Sequence, residues 1–239
     1  LDKRNQDPAG GPHPHAGFET VSLLLDGEIR EQMESMKKGD FQVMTAGSGT
    51  VHTETIDEPT KGRLLQLWLN LPFQDRWVQP RLQVLDAGKV PVVQKEGVTI
   101  RLYSGQLDGV VSPIKNYTPL FVAELEMKGY SEAKLPIGGD YNAFVYVIGG
   151  AVAIGDETLH KDQVGWLNQT EETSQLVIQA KETDARLVVY AAKPTRDEIV
   201  SHGPFIAGSE DEIRALYRQY RSGTMLHISN APETQRLIY

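Results

Sequence analysis

The sequence contains no cysteine, which removes disulfides and thiolate metal ligands together and suits a reducing cytoplasm, the expected location. It also lacks any uninterrupted apolar run of the roughly 20 residues that a membrane-spanning helix needs, so no membrane role is expected. The first residues carry no signal-peptide pattern, and the chain does not begin with Met. Basic residues are the minority, 24 against 32 acidic, for a formal net charge of −8. That balance argues against direct nucleic-acid binding, which draws on a basic surface. Two enzyme signatures are missing as well. Gly47-Ser48-Gly49 lacks the Gly-Lys-Ser/Thr of a phosphate loop, and Ser48 does not sit in a Gly-x-Ser-x-Gly elbow.

What remains is a β-rich text. The 239 residues, 40% hydrophobic and 23% charged, suffice for one large or two modest domains with real cores. After a polar lead-in over residues 1–12, short aliphatic and β-branched runs alternate with glycine turns such as Asp26-Gly27 and Lys38-Gly39-Asp40. Residues 64–71 alternate strictly, with Leu65, Leu67 and Leu69 on one face and Gln66, Trp68 and Asn70 on the other. Short strands at regular spacing predict an all-β sandwich or barrel. Sliding the chain by 123 positions lays the run 21–25 on 144–148, Gly27 on Gly150 and Lys38 on Lys161, which points to duplicated β-domains. The expected divisions are 1–115, 116–200 and a tail 201–239. In the tail, Ser209 and Glu212 form a capping box before Ile213, Leu216, Tyr217 and Tyr220 at helical spacing, predicting an amphipathic helix at about 210–221 that packs on the domains.

One constellation carries chemistry. His13 and His15 share a strand face, as do His52 and Glu54. If both strands line one interior, three imidazoles and a carboxylate meet there, a nitrogen and oxygen donor set suited to Fe, Cu, Ni, Mn or Zn. Glu19 has the same parity as His13 and His15, so it stands as an alternative fourth ligand or as a partner behind the site. Phe18, Met44, Gln66 and Trp68 are candidates for lining the pocket, although a Trp on such a strand more often serves packing. The 123-residue offset places His13 on Pro136, His15 on Gly138, His52 on Gln175 and Glu54 on Val177. Only the first copy is therefore expected to hold metal.

Three stretches resemble the pirin family of bicupins: Pro12-His13-Pro14-His15-Ala16-Gly17-Phe18-Glu19, then Thr45-Ala46-Gly47-Ser48-Gly49-Thr50-Val51-His52-Thr53-Glu54, then Leu65-Gln66-Leu67-Trp68-Leu69-Asn70-Leu71-Pro72. His202-Gly203-Pro204-Phe205 is similar to the family's tail. The resemblance implies two tandem cupin barrels of the jelly-roll type, with one iron in the first, held by His13, His15, His52 and Glu54. Relatives carry a longer segment before the His-Pro-His motif and a longer loop between Gly27 and Gly39, so the first barrel is expected to lack edge residues. Some pirin-like proteins open the central ring of a flavonol with O₂ and release carbon monoxide. The resemblance therefore implies a quercetinase-type dioxygenase for a small aromatic substrate; in such a reaction Glu54, or Glu19 beside it, is the candidate general base. Others serve as redox-responsive regulators of protein partners, and the resemblance leaves that alternative open.

Overall fold

Gly27 and Gly39 adopt φ of 85° and 89°, a region that glycine enters without steric penalty, and the chain reverses at both. In the computed structural model the described residues are 2–3, 10–30, 35–54 and 62–239. They form a mostly β structure with one α-helix, Glu210–Arg221. Contacts divide the chain into two compact units, Leu1–Lys89 with Thr195–Tyr239, and Val90–Pro194. The sequence-based division at 115 thus falls inside the second unit. The reason is strand pairing: Val92–Lys95 and Val98–Ser104 join the second unit's sheet through Leu120–Met127.

In the first unit a six-stranded sheet runs in the order Asp2–Lys3, Gly62–Asn70, Phe18–Asp26, Phe41–Thr45, Arg81–Leu85, Arg236–Ile238. Only the last pair is parallel. Asp2–Lys3 lies in the stretch expected to be irregular; it is a strand because its backbone pairs with Gly62 and Arg63. The rest of that lead-in, residues 1 and 4–9, lies outside the described residues, as do residues 31–34 of the loop between Gly27 and Gly39. His13–His15 pairs with Thr50–His52 as a separate ribbon.

In the second unit, one six-stranded sheet and one four-stranded sheet enclose a single aliphatic core. Ile100, Leu125, Val145 and Leu187 contribute from the first sheet, and Leu135, Val152 and Ile178 from the second. Burial of this kind is worth about 25 cal/mol per Å² of apolar surface.

The duplication is visible in the pairing itself. Adding 123 to both partners turns Ser22↔Gln66 into Val145↔Val189, Val21↔Val43 into Phe144↔Trp166, and Glu28↔Lys37 into Ala151↔His160, all of which pair. The register shift between Leu24 and Asp26 recurs between Val147 and Gly149. His13↔His52 likewise becomes Pro136↔Gln175, but there the facing differs. The second unit's core-facing pair on these strands is Leu135↔Leu176, one residue away on each strand, while Pro136 and Gln175 are exposed. The ungapped offset therefore named the wrong residues, yet the positions that face the core there are aliphatic.

Ser209 caps the helix, its Oγ accepting from Glu212 N at 3.3 Å. Ile213 and Leu216 bury against Ala16, Phe205, Ala207 and Met225. Among the described residues no helix is long and apolar enough to cross a membrane.

Candidate metal centre

Pro14 supplies no N–H to a ladder, and His13–His15 can carry it because the strand has a neighbour on one side only, Thr50–His52. Direct pairing sets His13 opposite His52, where Cβ atoms lie about 5 Å apart and side chains meet. The His13 and His52 Nε2 atoms are 2.8 Å apart. The His15 ring centre is 4.9 Å from that of each of the other two. One ligand atom from each histidine lies within 4.8 Å of the others, and among the described residues this is the group able to hold a metal ion. Three nitrogens around one ion at about 2.1 Å would stand roughly 3–4 Å apart, so the observed spread needs only a small adjustment.

The protonation states fit such a role. His13 Nδ1 is 2.7 Å from the Gly11 carbonyl, an acceptor, so its proton sits on Nδ1 and Nε2 presents a lone pair. His15 Nδ1 is buried with no hydrogen-bond partner. An orphaned buried polar atom is uncommon, and a cation beside it would satisfy it. Burial first, and then the neighbouring His13, pushes His15 down to about 4. Burial, His13, His15 and His227 push His52 down to about 2. Both are neutral near pH 7, the form that ligates metal.

Glu54 follows the Thr50–His52 strand, its backbone N–H donating to the Gly10 carbonyl at 2.8 Å. Its Oε1 accepts from Gln66 Nε2 at 2.7 Å. Burial raises its pKa, opposed by the Gln66 bond and by attraction to His13. Glu19 is placed elsewhere. It lies on the opposite face of its strand from Phe18, accepts from Thr45 Oγ1 at 2.7 Å and approaches Arg81 at 3.8 Å. Parity counted from His15 fails because Gly17, at φ 85°, separates two strands.

Phe18 stacks on Trp68 with ring centres 4.2 Å apart, and each meets the edge of His15, at 5.1 and 5.3 Å. Trp68 stays 42% exposed. Met44 shares their sheet face through the Thr20↔Met44 and Thr20↔Trp68 pairs, but it packs into a cluster with Leu82, Val84 and Ile228.

Sequence reasoning missed the outer support. The Pro204 backbone approaches the His15 ring and partly opposes the effect of burial on it, and Ile206 N donates to the Ala16 carbonyl at 3.0 Å. His227 lies beside Val51 and contacts Thr53 Oγ1 through Nε2 at 3.1 Å. Ser229 N donates to His227 Nδ1, so the His227 proton sits on Nε2, facing Thr53. These partners come from more than 170 residues away in sequence, beyond the reach of any local periodicity.

The Pirin family model matches residues 3–69, and the Pirin C-terminal cupin domain model matches residues 122–226. A pirin-like protein of Solanum lycopersicum is 34% identical over 90% of this chain and 77% of its own length. Human pirin is 33% identical over the same shares. A crystal structure of quercetin 2,3-dioxygenase from Acinetobacter baumannii superposes with a TM-score of 0.82 at 26% identity, covering 94% of this chain and 82% of the other.

Proposed function

The chain belongs to the pirin family, and on that footing we propose that it is a mononuclear iron protein acting as a flavonol dioxygenase of the quercetinase type. In this reading each unit is a cupin barrel, and the first holds iron through His13, His15, His52 and Glu54. One observation carries the proposal: three imidazoles converge in one of two duplicated interiors, with His15 Nδ1 buried and unpartnered. The contrast between the interiors supports it. Thr20, Ser22, Gln66 and Trp68 in the first unit correspond in register to Ala143, Val145, Val189 and Ala191 in the second. Gln66 and Trp68 are exposed, whereas Val189 and Ala191 are buried. The first interior is polar and open, the second apolar and filled.

Iron bound there supplies a Lewis-acidic position for adjacent hydroxyl and keto oxygens and a redox partner for O₂. The protein's own residues then have distinct tasks. Trp68, backed by Phe18, offers an aromatic surface for a flat ring system. Glu54 accepts the flavonol 3-hydroxyl proton on the carboxylate oxygen that does not ligate the metal. His13 keeps its lone pair inward because Gly11 holds its other ring nitrogen.

The test is aerobic turnover by iron-loaded protein. Loss of quercetin's visible absorbance with matching O₂ uptake is expected. Protein that retains stoichiometric iron and leaves quercetin intact would overturn the enzyme reading and support a non-catalytic, redox-responsive regulator of a protein partner.

A further inference from the structure

Gln66 spends both N–H bonds of one nitrogen inside the first unit, at 2.7 Å to Glu54 Oε1 and at 3.0 Å to Ser22 Oγ. This fixes the amide's orientation, since its nitrogen must face both acceptors. It also takes one of the lone pairs on Glu54 Oε1. Ser22 is fully buried, and a buried hydroxyl is unfavourable without a hydrogen-bond partner.

The fold does not require either polar group. Ser22 and Gln66 pair directly across neighbouring strands, and the equivalent pair in the second unit is Val145↔Val189 at identical register, ahead of the same bulge. Both valines are fully buried. The same backbone is thus built once with two valines and once with a serine and a glutamine. What the second version adds is a hold on Glu54.

We propose that Gln66, anchored by Ser22, is a positioning residue for the metal centre, fixing Glu54 Oε1 so that the carboxylate meets a metal held by the three histidines through its other oxygen alone. The inference rests on the reading of the histidine cluster as a metal centre. It adds that Glu54 engages the site through a single oxygen and that this is set by a residue outside the ligand set. Gln66 does not touch the imidazoles; it acts through Glu54.

The test is competitive titration of Ni(II) against a chromophoric chelator, with no flavonol present, alongside the visible spectrum of the Co(II)-loaded protein. Gln66→Leu should weaken Ni(II) binding by about 10–100-fold, the usual effect of losing a residue that orients a ligand, and should alter the Co(II) bands. Ser22→Ala should cause a smaller loss in the same direction. In a Glu54→Ala background, Gln66→Leu should change affinity by no more than about two-fold, because its route to the metal is gone. Metal-free Gln66→Leu should unfold at a urea concentration no lower than wild type; if it unfolds earlier, the two Ser22→Ala measurements, alone and with Glu54→Ala, decide instead. Wild-type affinity and Co(II) spectrum in the Gln66→Leu protein, or an equally large loss with and without Glu54, would overturn the proposal. Wild-type protein that binds no Ni(II) would overturn the metal reading itself, and this inference with it.

Discussion

His15 and His52 are held neutral by burial, to about 4 and about 2, whereas unfolded histidine titrates near 6.5. Between those values the unfolded chain binds more protons than the folded one, so stability falls as pH falls. Metal-free protein should therefore lose stability steadily from about pH 7 to about pH 5, read as a decreasing urea midpoint. A flat midpoint across that window would contradict the buried neutral pair. Bound metal should not flatten this profile: it keeps the same nitrogens unprotonated in the folded state, so the proton difference from the unfolded chain persists or grows. His15→Ala should lose most bound metal by elemental analysis; full retention would remove His15 from the ligand set. The histidine cluster was legible in the sequence because His13 and His52 pair directly and strand parity does the rest. Glu19 was not legible, since its parity assumed one continuous strand, and the positive φ of Gly17 breaks it.

Short elements around the centre depend on close backbone approach. A Cβ on Gly17 would lie 1.8 Å from the Ile206 carbonyl oxygen, at a φ that disfavours any side chain. Gly17→Ala should therefore destabilise the protein by more than the 1 kcal/mol or so expected of a strained φ alone. Because Gly17 joins the ligand strand to Phe18, metal affinity should fall with it. Ser209→Ala removes the helix cap and should cost about 1 kcal/mol in chemical denaturation, with metal affinity unchanged. The contrast separates an element that shapes the site from one that only supports the fold. The helix was readable in advance because capping box and apolar stripe are local signals. Asp2–Lys3 and Arg236–Ile238 were not readable: each is a strand by virtue of ladder bonds to a sheet edge, and neither has a periodic apolar pattern of its own.

Across the whole molecule, one β scaffold occurs twice with opposite interiors. The 123-residue repeat was detectable from an apolar run and its turns, since those set register. Its extent was not, because the two units share few identities while conserving pairing and a bulge. The positions that face the second core were also misjudged by one residue, as an ungapped offset keeps pairing but not the facing of a two-stranded ribbon. Once the core-facing residues are matched, the first unit has His13 and His52 where the second has Leu135 and Leu176. A ligand that binds the folded state lowers local opening near its site. Hydrogen exchange with and without Ni(II) should then slow at His13–His15 and Thr50–His52. It should stay unchanged at Glu132–Ile137 and Ser174–Ala180, whose facing side chains offer no nitrogen or carboxylate. Equal protection of both strand pairs would mean that the second unit also binds metal, and the single-centre account would fail.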